Sequence, residues 1–275
     1  MSTPKSHFVE GPPRIHYLEW NSRGPITLIL LHGNAANAWW WEPLAAQIGP
    51  QFRLLALDQR GHGDSEWIRP PAYGPDNYAH DAMMFIERLG LSMPILIGHS
   101  MGGINVLAFA IKWPSMIRAA VSIDVAVTSS RGRDRYVRRL KALPTIDYPD
   151  LEMARARYRL MPKEGHVPHD TLMQIADHSF QPAERGGFTL KFDRESFYGS
   201  DGLDVRAVAA GISIPLLLVR GEKSKIMTAE AAHSATESNP RVRLVEIPGV
   251  HHHLLLERPD LLASVLTRFV TDLGA

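Results

Sequence analysis

Residues 96–103 read Leu-Ile-Gly-His-Ser-Met-Gly-Gly, and this stretch decides the fold. An apolar run, Pro94 to Ile97, precedes it, and apolar residues at helix spacing follow it (Ile104, Leu107, Ala108, Ile111). A Gly-x-Ser-x-Gly sequence between a strand and a helix is typical of a sharp turn that holds its serine in a strained backbone conformation. The pattern predicts that Ser100 is a nucleophile. The alternative is an ordinary strand-to-helix loop.

The composition bounds the class of protein. The chain has 275 residues, of which 45% are hydrophobic, enough for one large α/β domain or a core with an insert. Its 30 Lys and Arg balance 29 Asp and Glu, so charge gives no case for nucleic-acid binding. There is no cysteine, which excludes disulfides, a thiolate nucleophile and cysteine metal sites. Without a signal-peptide pattern or a membrane-length apolar run, we expect a soluble cytoplasmic protein that binds no membrane.

Strand and helix patterns alternate along most of the chain, which favours a parallel sheet. Residues 8–20 predict a β-hairpin, broken at 11–13. Further strands are predicted at 26–31, 52–57, 94–97, 117–123, 214–219 and 242–247, and helices at 37–48, 78–89, 101–112, 228–237 and 259–272.

The alternation is interrupted between residues 125 and about 208. This segment is rich in arginine, and prolines together with Gly186-Gly187 divide it into short pieces. We interpret 125–208 as an inserted helical cap. The core domain would then consist of residues 1–124 and 209–275.

A serine nucleophile needs a general base, and three adjacent histidines are placed to supply it. His251, His252 and His253 follow the last predicted strand, at the same end of a parallel sheet as Ser100. The alternatives are a polar loop or a small metal site. Because adjacent side chains point in different directions, we expect no single-metal site from these three alone.

With these pieces in view, the whole chain resembles the α/β-hydrolase superfamily, in its branch of capped serine hydrolases. The resemblance rests on 32–34 (His-Gly-Asn), 58–65 (Asp-Gln-Arg-Gly-His-Gly-Asp-Ser), the stretch around Ser100, and 249–259. It implies a mostly parallel eight-stranded sheet flanked by helices, with no metal and no cofactor. In this superfamily the catalytic histidine usually lies five positions before the glutamate of a Glu-x-Pro ending, which selects His252.

The resemblance also implies an oxyanion hole, formed by the backbone N–H groups of Asn34 and Met101. A turn-capping side chain is the alternative role for Asn34. The serine at position 100 argues against haloalkane dehalogenase and epoxide hydrolase chemistry, since those enzymes of this fold use an aspartate nucleophile. For the substrate pocket, the candidates are His99, Trp39 and Trp40, although both tryptophans could simply pack on the sheet.

The acid of the expected triad departs from the usual pattern. Members of the superfamily usually carry it in a Gly-x-x-Asp loop, but in this chain Ser224 occupies the aspartate position. A serine carries no charge to stabilise an imidazolium. Some branches place the acid after the strand that follows the nucleophile helix, where this chain has Asp124. The resemblance thus implies a Ser100–His252–Asp124 triad, with Glu222 as the alternative acid and a structural carboxylate as the alternative role for Asp124.

Residues 219–225 and 122–124 look like the (acetamidomethylene)succinate hydrolase-like branch, whose members cleave an enamide. Since the similarity is partial in the cap, we do not transfer that specificity. We predict a carboxylic ester hydrolase acting on a small molecule, as a monomer or homodimer. Amide, enamide or C–C bond hydrolysis is the alternative. A cofactor-free dioxygenase and a non-catalytic ligand receptor are further alternatives within the same fold.

Overall fold

The predicted apolar segments form a central β-sheet. The structure is a computed structural model, and it describes residues 3–125, 139–142, 145–197, 205–237 and 239–274. The strands are β1 (Lys5–Val9), β2 (Ile15–Trp20), β3 (Ile26–Leu31), β4 (Phe52–Leu57), β5 (Ile95–His99), β6 (Ala119–Ile123), β7 (Phe180–Pro182), β8 (Phe188–Leu190), β9 (Leu216–Gly221) and β10 (Val242–Ile247). Eight of them form the sheet in the order β1-β2-β4-β3-β5-β6-β9-β10. Strand β2 is antiparallel to both neighbours, and the other pairs are parallel. The eight-stranded, mostly parallel sheet is confirmed.

Helices cover both faces of this sheet. They are α1 (Glu42–Ala45), α2 (Pro75–Arg88), α3 (Met101–Lys112), α4 (Leu151–Arg157), α5 (His169–Asp177), α6 (Val205–Gly211), α7 (Ala229–Glu237), α8 (Leu254–Glu257) and α9 (Pro259–Asp272). Among the described residues, no helix is long and apolar enough to cross a membrane.

Strand β3 explains why the predicted parallel strands lack a polar face. Leu28 and Leu30 point to one side of the sheet and join the core under α1 and α9. Ile29 and Leu31 point to the other side and join the core under α2 and α3. Since both faces are buried over residues 28–31, all four of these positions are apolar.

The α-helix predicted at 37–48 is wrong over its first half, which forms a 3₁₀ turn. Residues Ala38–Trp41 form a 3₁₀ turn, and α1 covers only Glu42–Ala45. Two local interactions shape this segment: the side chain of Asn37 accepts from the N–H of Trp39, and the carboxylate of Asp58 accepts from the N–H of Ala38 at 2.6 Å. A new helix then starts next to Pro43, a residue favoured in the first turn.

The predicted cap at 125–208 differs from expectation in containing strands. Its described part holds the helices α4 and α5 and also the antiparallel hairpin β7–β8, which the sequence did not predict. The hairpin turn uses Gly187 at φ +77°, where a β-carbon would lie 2.1 Å from the carbonyl oxygen of Tyr148. Helix α6 crosses the predicted boundary at 208 and packs on α3 and α7. Residues 126–138, 143–144 and 198–204 lie outside the described residues, and the division into core and cap stays a prediction.

The turn at Ser100 depends on the absence of side chains at Gly98 and Gly102, on either side of the serine. A β-carbon at Gly98 would lie 2.1 Å from the carbonyl oxygen of Gly102, and one at Gly102 would lie 2.2 Å from that of Leu31. Both contacts are with backbone atoms, which no side-chain rotation can relieve. The turn thereby brings α3 against the ends of β3 and β5, with Ser100 at φ 53° between them.

We expect Gly102→Ala to lower the free energy of unfolding by about 3 kcal/mol, because the added methyl overpacks a backbone contact. Gly74→Ala is the matched control. Its β-carbon would meet only the side-chain nitrogen of Asn77, at 3.8 Å, and we expect a change within about 0.5 kcal/mol. Chemical denaturation followed by tryptophan fluorescence measures both. Equal losses in the two variants would contradict the contact argument.

Candidate active site

Ser100 sits where β5 ends and α3 begins. Its N–H donates to the carbonyl of Ile123 on the neighbouring strand β6 at 2.8 Å, which fixes the turn to the sheet. The backbone at Ser100 has φ 53° and ψ −116°, a conformation that a non-glycine residue adopts only when its surroundings impose it. The N–H of Met101 belongs to the first turn of α3, where backbone donors have no acceptor within the helix.

Of the three adjacent histidines, the middle one faces the serine. His252 Nε2 lies 3.1 Å from Ser100 Oγ, and His252 Nδ1 lies 2.9 Å from Asp124 Oδ1. Since a carboxylate only accepts hydrogen bonds, Nδ1 carries the proton and Nε2 is the acceptor toward the serine hydroxyl. His251 instead turns to Glu257, and His253 donates from Nε2 to the carbonyl of Pro162.

Asp124 directly follows β6 and is fully buried beside the end of β9. Besides His252, its carboxylate accepts from the N–H of Gly221 at 2.8 Å and from the hydroxyl of Ser224 at 2.6 Å. Burial raises the pKa of Asp124 to about 6, and the hydrogen bonds from Ser224 and Gly221 act in the opposite direction. The carboxylate is therefore held in one orientation by groups on two sides.

The role of Ser224 was missed by the sequence reasoning, which treated it only as the residue that replaces the usual acid. Its Oγ accepts from the N–H of Ile226 at 3.1 Å, which directs the hydroxyl proton to Asp124. The residue at the usual acid position thus supplies a hydrogen-bond donor to the carboxylate of Asp124. Adjacency of β6 and β9 is the signal that could have paired the two residues.

Glu222, the alternative acid, is exposed and occupied elsewhere. Its Oε2 accepts from the N–H of Gly249 at 2.7 Å, and this bond links the loop after β9 to the loop that leads to the histidines. Neither carboxylate oxygen contacts His252. The geometry gives Glu222 a bracing position and leaves Asp124 as the carboxylate on the imidazole.

Residues 32–34 lie against the turn at Ser100. A β-carbon at Gly33 would be 3.3 Å from the β-carbon of Ser100, so the backbone that leads into Asn34 runs beside the serine. Two bonds tie this loop to Gln59: His32 Nε2 accepts from the Gln59 N–H, and the Gln59 amide donates to the His32 carbonyl at 2.7 Å. The amide oxygen of Gln59 accepts in turn from Asn105 on α3.

Asp58, at the start of the Asp-Gln-Arg-Gly-His-Gly-Asp-Ser segment, fixes the other end of the same loop. Its carboxylate accepts from the N–H of Ala38 and the N–H of Asp64, and from His16 Nδ1 at 2.7 Å. This buried carboxylate is thus satisfied from three directions. The segment therefore acts as a scaffold for residues 32–38.

The structure places the three predicted pocket residues in packed surroundings. Trp39 stacks on His178, with ring centroids 3.5 Å apart. Trp40 is buried beside His99. His99 is also buried, and its Nε2 lies 2.9 Å from the carbonyl oxygen of His252. Their assignment to a substrate pocket stays a prediction.

The comparisons with known proteins agree with this architecture. Residues 26–259 match the family model described as the alpha/beta hydrolase fold. The chain belongs to the α/β-hydrolase family. Its family and the activities of its named relatives identify the chain as a hydrolase.

Two relatives of this α/β-hydrolase carry named activities. The present chain is 29% identical, over 96% of both chains, to 2-(acetamidomethylene)succinate hydrolase of Mesorhizobium japonicum. A crystal structure of E-2-(acetamidomethylene)succinate hydrolase superposes with a TM-score of 0.84 at 28% identity, over 98% of this chain and 99% of that one. It is also 25% identical to an esterase of Mycobacterium tuberculosis, over 92% of this chain and 85% of that one.

We expect Asp124→Asn to lower kcat by about 10⁴-fold, since an amide neither fixes the tautomer of His252 nor stabilises its charged form. Glu222→Gln is the matched control and should leave kcat unchanged, because glutamine keeps an oxygen that accepts from the N–H of Gly249 and removes only a charge that does not contact His252. Initial-rate kinetics with a chromogenic ester measures both. A large loss in Glu222→Gln with normal rates in Asp124→Asn would reverse the assignment.

Ser224 yields a separate prediction. Removing its hydroxyl takes one donor from the oxygen of Asp124 that also meets His252, and we expect Ser224→Ala to lower kcat about tenfold with KM unchanged. Ser224→Thr keeps the hydroxyl and should restore most of the rate. If Ser224→Ala turns over at the rate of the parent protein, the serine does not position the acid.

Proposed function

We propose that this α/β-hydrolase is a serine hydrolase that cleaves a carboxylic ester of a small molecule through an acyl-enzyme. The observation that carries the proposal is the pair of contacts made by His252, 3.1 Å to Ser100 Oγ and 2.9 Å to Asp124 Oδ1. A nucleophile, a base and an orienting acid joined in this order define the chemistry by geometry and not by position in the chain.

The reaction begins when Ser100 Oγ attacks the carbonyl carbon of the substrate and passes its proton to His252 Nε2. The imidazolium that forms is stabilised by Asp124, whose orientation is set by Gly221 and Ser224. The negative charge on the former carbonyl oxygen is stabilised by the N–H groups of Asn34 and Met101.

Collapse of this intermediate expels the leaving group, which receives the proton from His252, and leaves an acyl group on Ser100. A water molecule then gives a proton to His252 and attacks the acyl carbon. The second collapse releases the acid and returns the proton to Ser100. The cycle consumes one water and needs no group beyond those named.

An enamide or amide is the second candidate substrate, favoured by one comparison. The relative that matches 96% of the chain at 29% identity is named for hydrolysis of an acetamidomethylene-succinate. The esterase relative, at 25% identity, favours the ester. Both bonds break by the same acyl transfer, so the leaving-group atom, oxygen or nitrogen, separates the two candidates.

The decisive experiment is a substrate panel in which esters and enamides share one acyl group. We expect turnover of short-chain aryl esters by the parent protein. Ser100→Ala should lose at least about 10³-fold in kcat, since removal of the nucleophile leaves only the contribution of the oxyanion hole. Ser92→Ala, an exposed position just before β5, serves as the control for handling and folding. Turnover that survives Ser100→Ala, or no turnover of any acyl substrate, would refute the proposal.

A further inference from the structure

Three buried imidazoles meet behind the nucleophile, and the proposed reaction uses only one of them. His99, His252 and His253 each offer one ring nitrogen to a set whose members lie within 4.8 Å of one another. His99 and His253 are almost fully excluded from solvent. His99 comes from the end of β5 and His253 from the loop before α8, so the cluster joins the two segments that carry Ser100 and His252.

Hydrogen bonds fix which nitrogen of each ring carries the proton. His99 Nε2 lies 2.9 Å from the carbonyl oxygen of His252, and His253 Nε2 lies 3.0 Å from that of Pro162. A carbonyl oxygen only accepts, so both Nε2 atoms are protonated and both Nδ1 atoms carry a lone pair. Neither Nδ1 has a hydrogen-bond partner among the residues that the structure describes.

This pattern is the one found around metal-bound histidines. A ligating imidazole almost always donates its other N–H to a backbone carbonyl or a carboxylate, which orients the ring. His99 and His253 donate to carbonyls, and His252 donates to the carboxylate of Asp124. Three imidazole ligands suit Zn²⁺, Cu²⁺ or Ni²⁺ and do not suit Mg²⁺ or Ca²⁺.

We propose that His99, His252 and His253 form a Zn²⁺ site, and that its occupation blocks the nucleophile. The protonation pattern set by these hydrogen bonds leaves Nδ1 of His99, Nδ1 of His253 and Nε2 of His252 as the ligand atoms. A tetrahedral ion with bonds of about 2.0–2.1 Å needs nitrogen pairs about 3.3 Å apart. Each of the three rings already places one nitrogen within 4.8 Å of the other two, so small ring movements complete the site. Three protein ligands leave a fourth position for water or for Ser100 Oγ.

Binding of Zn²⁺ at this site would inhibit the proposed hydrolysis. The lone pair on His252 Nε2 that accepts the proton of Ser100 is the one that the metal takes, so metal-bound protein has no general base. The ion is an inhibitor in this scheme and not a participant in hydrolysis. His251, adjacent in sequence, is excluded from the site because its Nδ1 faces Glu257.

A second cluster of possible ligands, His16, Asp58 and Asp64, does not compete on the same terms. Both nitrogens of His16 are engaged, Nδ1 with Asp58 and Nε2 with the hydroxyl of Ser6. Asp64 is paired with Lys191. The histidine cluster behind Ser100 is therefore the better site.

The test is calorimetric titration of Zn²⁺ into the Ser100→Ala protein, which keeps all three imidazoles. We expect one Zn²⁺ per chain, no binding of Mg²⁺, and an intense visible absorption when Co²⁺ fills the site with tetrahedral geometry. His99→Gln and His253→Gln should each lower the affinity for Zn²⁺ at least tenfold, since loss of a group that only orients a ligand already costs about that much. His251→Gln is the matched control from the same loop and should keep the affinity.

In the parent protein, Zn²⁺ should inhibit ester hydrolysis and slow phosphonylation of Ser100 over the concentration range in which it binds. This second measurement decides the matter where a glutamine variant does not fold. Because calorimetry and the Co²⁺ spectrum need no turnover, they stand even where the proposed hydrolase function fails. The site is refuted by absence of binding, or by binding that persists in the His99→Gln/His253→Gln protein.

Discussion

The buried carboxylate of Asp124 is the interaction on which the site depends. A fully buried charge is costly unless hydrogen bonds satisfy it, and this one accepts from Gly221, Ser224 and His252. Gly221 ends β9, Ser224 lies in the loop after it, and His252 lies in the loop after β10. The carboxylate that follows β6 therefore fixes the ends of two further strands. Loss of any donor leaves part of its charge uncompensated, which links local folding to the orientation of the proposed base.

A second buried carboxylate, Asp58, lies on the side of the site where Asn34 is proposed to help bind the oxyanion. The Asp58 carboxylate accepts from the N–H of Ala38, and the Gln59 amide donates to the carbonyl of His32. These two bonds fix the conformation of residues 32–38. Both anchors come from the end of β4, next to β3 in the sheet. The two halves of the site are thus preorganised by separate buried polar groups, and the tight turn at Ser100 is the place where they meet.

Much of this arrangement could be predicted because it depends on local pattern. Apolar runs located the sheet strands, and the small residues around Ser100 located the turn, since a β-carbon at either glycine would collide with backbone. These features follow from constraints between residues close in sequence. The choice of His252 among the three histidines came instead from the resemblance to the superfamily, and this histidine faces Ser100.

What escaped prediction depends on contacts between distant segments. The 3₁₀ turn at 38–41 follows from a hydrogen bond to Asp58, and the hairpin β7–β8 pairs in a segment whose composition favoured helices. Ser224 donates to Asp124 only because β6 and β9 are neighbours. Likewise, the lone pairs on His99 and His253 are defined by carbonyl groups of residues 252 and 162, which no local pattern identifies.

The hydrogen bond from His253 to Pro162 ties the residue next to the proposed base to the segment between α4 and α5. Glu257 meets the same segment through the N–H of His166. Through these two bonds, a displacement of residues 162–166 would be transmitted to the histidine loop and so to the alignment of His252. Selection among substrates would then be expressed in how often a bound molecule reacts, more than in how tightly it is held.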